Sequence, residues 1–220
     1  MVDLKCYTGK CWQGLSVICL SALAGIMASV IFLLVMTVVG LLQPGYSAIQ
    51  ETISQLVLGR YGWFQTMSFF IVGILLVVFA FRLYIVTLRT IYAKVGFILF
   101  VISGLGFLLA GAFPVKPVEV VFTVSDLMHS IAVGIVVASF ILGCFAYSIY
   151  FRADLRWSRF WLYTLLTAIA CLAFLMLWLI TPQEWLWKGL SERLLVVTSF
   201  VWVGVVSVKL LKFCLKKQYL

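Results

Sequence analysis

A serine, a histidine and an aspartate in one 220-residue chain invite a reading as nucleophile, base and orienting acid. His129 is the only histidine, and Asp126 precedes it by three residues, so on a helix the two share a face. Asp126 could orient the imidazole for general-base work, with Ser54 as the nucleophile. Arg60 and Arg193 could hold a phosphate or carboxylate headgroup. Each residue also has a plainer use. Asp126 is a natural helix N-cap, and His129 could satisfy one buried polar contact. Glu51 and Arg60 could form an exposed pair worth about 0–1 kcal/mol. Glu192 suits a helix N-terminus by its charge.

Several chemistries are excluded. One histidine cannot build a two-histidine haem site and argues against a zinc site with histidine ligands. No glycine-rich phosphate loop or dinucleotide fingerprint is present. Neither a cofactor nor a metal is expected.

The elements that must position these residues follow from composition. The chain is 65% apolar, with only 16 basic and 7 acidic residues, whereas a soluble domain is about 45–50% apolar and about 25% charged. A membrane helix needs roughly 20 apolar residues. Six stretches fit, at about 15–42, 63–83, 95–113, 127–150, 160–181 and 194–211. The expected fold is an all-α integral membrane protein, a compact six-helix bundle forming one domain over 1–220. Ala22-Leu23-Ala24 resembles a signal-peptidase site, but the apolar run continues to Leu42, so the first helix is expected to stay uncleaved.

The net charge of +9 divides unevenly. The side holding both termini and the 2–3 and 4–5 connections carries twelve basic residues, Lys5 and Arg89 among them, against two acidic ones. The other side carries four against five, Glu119 and Glu184 among the acids. A face of +10 opposite one of −1 places both termini in the cytoplasm. The charge therefore reads as topology and contact with anionic lipid, not as a nucleic-acid footprint. The interiors of spans one, three and five carry no charge, which argues against a proton-coupled pump.

The six cysteines avoid the outer loops, so no disulfide framework is expected, and Cys6 and Cys11 read as free thiols. Trp12, Trp157, Trp161, Trp63, Trp185 and Trp187 fall at the two interfaces. Trp202 falls mid-span, where its indole N–H needs a partner, either from a ligand or from core packing. Gly106-x-x-x-Ala110 and Gly134-x-x-x-Ala138 suggest a close hairpin of spans three and four.

Polar residues concentrate in the outer segments. After Pro44-Gly45, Ser47 and Gln50 match a capping box and Gly59 a stop, with Ile49, Ile53, Leu56 and Val57 at helical spacing. A short amphipathic helix lying in the outer interface is expected there. Pro114 and Pro117 end span three, Thr123 to Asp126 open span four, and Ser191-Glu192-Arg193 open span six.

Gln43-Pro44-Gly45-Tyr46, Thr52-Ile53-Ser54-Gln55-Leu56 and Gly59-Arg60-Tyr61-Gly62-Trp63 resemble the membrane family labelled domain of unknown function 998. So do Gly111-Ala112-Phe113-Pro114 with His129 and Ala132, and Ser191-Glu192-Arg193-Leu194. The resemblance covers nearly the whole chain. It implies a six-helix bundle in a bacterial cytoplasmic membrane and implies no reaction. A looser likeness, to the Frag1, DRAM and Sfk1 type of six-span protein, points towards lipid handling.

The expectation is a polar pocket at the outer-leaflet boundary that binds, and could modify, a lipid or other amphiphile. Its candidate catalytic residues are Ser54, Asp126 and His129, and its candidate ligand-binding residues are Tyr46, Glu51, Arg60, Glu192, Arg193 and Trp202. Membrane lipids are the expected partners, with a membrane-protein partner or a second copy left open. An accessory subunit of a membrane complex and a small transporter or channel remain the alternatives.

Overall fold

The computed structural model describes residues 10–87, 90–117, 123–182 and 187–218, with side chains between residues 21 and 215. Lys5, Cys6, Arg89, Glu119, Glu184 and Trp185 lie outside the described residues, as do the side chains of Cys11, Trp12 and Cys19. Helices occupy Lys10–Leu42 (α1), Gly62–Val86 (α2), Ile91–Ala112 (α3), Val124–Ala153 (α4), Trp161–Ile180 (α5) and Lys188–Gln218 (α6). All six are long and apolar enough to cross a membrane, and no strand occurs among the described residues. The protein is an all-α integral membrane protein.

Helices α3 and α4 start before their apolar stretches because polar caps extend them. The Thr90 hydroxyl accepts the Ala93 N–H at 3.3 Å and starts α3. Thr123 and Asp126 cap α4 reciprocally, so it begins three residues before Leu127. The run opening α6, from Lys188 to Arg193, continues the helix although hydropathy alone excludes it.

Each helix packs on its neighbours in sequence, and α6 closes on α1, giving a ring in chain order. The α3–α4 contact is the most extensive. In lipid no hydrophobic effect draws helices together, so close backbone approach matters. A Cβ on Gly73 would stand 2.7 Å from the Gly104 carbonyl oxygen, and one on Gly104 would stand 2.8 Å from that of Gly73. These two glycines therefore set the α2–α3 crossing. Gly106 does the same for α3 and α4, facing Val136 and the Ala132 carbonyl. Gly134 does not: it has open space around it, and Ala138 is exposed. Half of the expected hairpin seam is thus absent.

Aromatic side chains fill the ring. Phe32 packs on Phe69, Phe107 and Phe200. Trp202 packs on Phe79, Phe100 and Phe140 and is fully buried. Helix α5 contributes least. Thr164, Thr167, Ala168 and Cys171 are its buried residues, and beyond Cys171 no residue of the helix is fully buried.

Call the end holding the 43–61, 113–123 and 181–187 connections the distal end, and the other the terminal end. At the terminal end, just past α4, Trp157 is fully buried and stacked on Phe151 at 4.5 Å. Cys214 is disulfide-bonded, so the expectation that disulfides are absent does not hold for it. Buried Asp154 accepts hydrogen bonds from Tyr150 Oη at 2.5 Å and from Arg156 Nη2 at 2.7 Å. The Arg156 guanidinium, with Tyr150 helping, holds the Asp154 carboxyl down to about 2.

A carboxyl lowered on folding stabilises the fold fully above its unfolded value, and that stability is lost as pH falls through the folded value. Acidifying from pH 5 to pH 2 should therefore remove about 1–2 kcal/mol, discounted because Arg156 is half exposed. Thermal unfolding of wild type and Asp154→Asn at both pH values checks this. The variant should start less stable and lose less on acidification.

Candidate functional site

The site begins with a missing hydrogen. Residue 114 is proline, so the Ala110 carbonyl has no i+4 N–H to accept from at the end of α3. His129, one turn into α4, fills the vacancy. Its Nδ1 lies 3.0 Å from the Ala110 oxygen and 2.9 Å from the Phe113 oxygen. Carbonyl oxygens only accept, so Nδ1 carries the proton and donates to both. That leaves Nε2 as an acceptor. Ser54 Oγ stands 2.9 Å from it and donates. The ring is buried, at 3% exposure, with its edge towards Phe69.

Asp126 is not the orienting acid. Its carboxylate accepts from Lys116 N at 2.8 Å, Thr123 N at 2.9 Å and Thr123 Oγ1 at 2.6 Å. It zips the segment after α3 onto the start of α4, and Ser125 adds a bond to the Pro114 carbonyl at 2.8 Å. The expected three-residue set is therefore a Ser54–His129 pair, with two backbone carbonyls in the orienting place.

Residues 43–61 deliver Ser54. They form a turn and then a short 3₁₀ helix, Ile53–Leu58, in place of an amphipathic helix. The expected box at Ser47 and Gln50 does not form. The Ser47 N–H donates to Glu51 Oε2 at 2.8 Å, and the reach-back bond occurs later, from Thr52 N–H to Gln55 Oε1 at 2.7 Å. Ile53 and Leu56 are fully buried against the bundle, while Ile49 is half exposed. Four residues of supposedly one face thus split between core and surface.

Helix α6 holds this segment in place. The N–H groups of Gly189 and Leu190 donate to the Gln50 and Ile49 carbonyls at 3.2 and 2.9 Å. Arg193 Nη1 donates to the carbonyls of Glu51 and Gly189 at 2.8 and 3.0 Å. Its Nη2 donates to the Tyr46 hydroxyl, which in turn donates to the Thr52 carbonyl at 2.8 Å. Burial pushes the Tyr46 hydroxyl up from its ordinary value, against the pull of Arg193, so it stays a donor. Glu192 Oε2 accepts the Ile53 N–H at 2.8 Å. Tyr46 and Arg193 are thus a clamp on the backbone. Arg60 is exposed over the Tyr61 ring, and Glu51, committed to Ser47, makes no ion pair with it.

Above the aromatic core lies a cavity of about 1100 Å³. Its distal wall is polar: the Gln50–Gln55 run, Lys116, Asp126, His129, Lys188 and Glu192. Its deeper wall is apolar, with Phe32, Phe69 and Phe107 as floor, Val133 and Val137 on α4, Leu175 on α5 and Val196 on α6 as sides. Its exposed lining residues fall in the distal connections (Gln50, Leu58, Lys116, Pro117) and on α4 and α5 (Ser130, Gly134, Leu179).

Among the candidate residues, Ser54, His129, Asp126, Glu51 and Glu192 line this cavity, whereas Tyr46, Arg60, Arg193 and Trp202 do not. Trp202 belongs to the core, its indole N–H donating to Thr164 Oγ1 at 3.0 Å. Sequence reasoning missed Lys188. Its Nζ donates to the Trp178 and Thr181 carbonyls at 2.5 and 2.9 Å, capping α5 from the start of α6. Its position beside Trp187, at the mouth of a span, was the available signal. Among the described residues no three His, Cys, Asp or Glu side chains gather closely enough to hold a metal ion.

No curated protein and no solved structure matches the chain. A family model described as "Protein of unknown function (DUF998)" matches residues 26–209, which include both members of the Ser54–His129 pair and the α6 clamp. The chain therefore belongs to the DUF998 family of membrane proteins.

Proposed function

We propose that this protein binds a lipid or other amphiphile from the outer leaflet, in the cavity between α4, α5 and α6. The charge division of the sequence supports the distal end as the outer face, with both termini in the cytoplasm and the family setting of a bacterial cytoplasmic membrane. The observation that carries the reading is the two-sided wall. Ligand sites are mostly apolar with a few polar groups that fix orientation, and their usual size is about 300–1,000 Å³. Here the polar groups gather at the distal end, above an apolar chamber with exposed lining residues on α4 and α5, which supports entry from the lipid side. Lys188 and Lys116 suit an anionic or ester-bearing headgroup.

Passage across the membrane fits less well. Phe32, Phe69 and Phe107 floor the chamber, and the void beneath them is about 40 Å³, lined almost wholly by apolar groups. A binding protein needs such a floor, whereas a channel needs a polar path through it.

Gly134 is one of these exposed lining residues, with nothing near its Cβ position. Gly134→Trp should block entry from the lipid side without disturbing the core. Wild-type protein in mild detergent is expected to carry about one amphiphile per chain by native mass spectrometry. The variant should lose most of it at an unchanged melting temperature. Equal occupancy in both would refute the reading.

A further inference from the structure

The His129 ring has its proton held by two backbone carbonyls and its lone pair facing a serine that lines the cavity. A ring serving only to hold two carbonyls needs nothing on Nε2 but any donor. Here the donor is a primary hydroxyl at 2.9 Å, delivered by a clamped segment to the headgroup level of an amphiphile-sized chamber. We propose that Ser54 is an acyl-accepting nucleophile and His129 its general base, acting on an ester-bearing amphiphile held in the cavity. This rests on the cavity reading above.

In the acylation step the Ser54 Oγ–acyl carbon bond forms and the ester's acyl carbon–alkoxy bond breaks. The Ser54 proton passes to His129 Nε2 and then to the departing alcohol oxygen. Water or a second alcohol next attacks the acyl-serine, gives its proton to Nε2, and frees Ser54 with the proton returned. No oxidant, metal or cofactor enters the balance. The Ala110 and Phe113 carbonyls are positioning groups. They keep the tautomer and face the developing imidazolium with partial negative charge, the part a carboxylate plays in a full triad. The Lys188 ammonium lies on the same wall and supplies positive charge near the headgroup.

The test is covalent labelling of the full chain in nanodiscs by a long-chain alkyl fluorophosphonate, with peptide mass spectrometry to place the adduct. A short-chain fluorophosphonate serves as the second probe. Ser54 should be the labelled residue, and Ser54→Ala should remove the adduct. His129→Gln should slow labelling by about 10²–10⁴-fold, the usual contribution of a general base. Gly134→Trp should abolish labelling by the long-chain probe and spare the short one. An unlabelled Ser54 in wild type that still carries amphiphile overturns the proposal and leaves the cavity reading standing. Labelling of Ser54 by both probes, indifferent to Gly134→Trp, keeps the nucleophile and overturns the cavity reading. Because His129→Gln could lower folding, Ser54→Cys is the companion variant. Its alkylation at position 54 by a long-chain haloacetamide should slow when His129→Gln is added, and an unchanged rate counts against an activated site.

Discussion

His129→Ala is expected to destabilise the protein by about 3 kcal/mol, lowering the melting temperature by roughly 6–12 °C. The substitution strips the ring from two carbonyls and a hydroxyl, at 3% exposure. A buried acceptor left without a donor costs about 1–3 kcal/mol. Ala110 has no fallback, because Pro114 offers no N–H. Water arriving from the adjoining cavity recovers part of the loss, which keeps the figure near the lower end. His129→Gln can still donate to one carbonyl and should recover about half. Ser54→Ala removes only the bond to Nε2 and should cost about 1 kcal/mol. Thermal unfolding of the three variants in one detergent gives the comparison. Equal stability of His129→Ala and wild type would mean that the ring does not secure the α3–α4 turn.

The second large effect is expected at Arg193. Arg193→Ala removes two charged donors from the Glu51 and Gly189 carbonyls, a third from Tyr46, and a guanidinium over the Tyr46 ring. Hydrogen bonds from charged groups are worth about 1.5–3 kcal/mol each, but the three share one side chain and are not additive. A loss of about 2–3 kcal/mol follows. It should appear locally, since residues 43–61 can leave the bundle while the ring of helices stays closed. Hydrogen exchange should therefore quicken at Gly189 and Leu190, whose amides bond the Gln50 and Ile49 carbonyls, with little change deep in α2 and α3. Arg193→Lys keeps the charge but not the fork and should be intermediate. Uniform acceleration across the chain would contradict a local clamp.

The proposed acyl transfer would depend on the same two contacts. Ser54 reaches Nε2 only while Arg193 and the α6 N–H groups hold its segment down. The ring offers Nε2 only while Pro114 keeps the Ala110 carbonyl free for Nδ1. A lesion at Arg193 should therefore lower Ser54 reactivity although Arg193 does not line the cavity.

Hydropathy alone located all six membrane helices, and the prolines after α3 marked its end. Thr123 and Asp126 marked the start of α4, because a cap is a bond between residues three apart. The chain also named Ser54, His129, Glu192 and Arg193 as a group worth weighing. It misassigned their roles where the partner was distant or was backbone. Asp126 was paired with His129 by helical spacing, but the stronger local demand of the Thr123 N–H and hydroxyl and the Lys116 N–H takes its carboxylate. The Ser47–Gln50 box lost to Glu51, which reaches the same N–H. Trp202 and Lys188 were also misjudged: the mid-span indole found Thr164 on α5, and Lys188, not singled out as a site residue, lines the cavity.

What the sequence by itself determined is every property that depends on near neighbours: the spans, the caps, the breaks and the sorting of charge between two faces. Only the tertiary structure decided that Ser54 meets His129, 75 positions away, and that Arg193 grips a backbone 142 positions before it. It also decided that a chamber is left at the distal end, lined by α4, α5 and α6. The physical reason is that hydropathy and capping energies are summed along the chain, whereas these contacts exist only once α6 closes the ring on α1 and fixes which helix ends share a level.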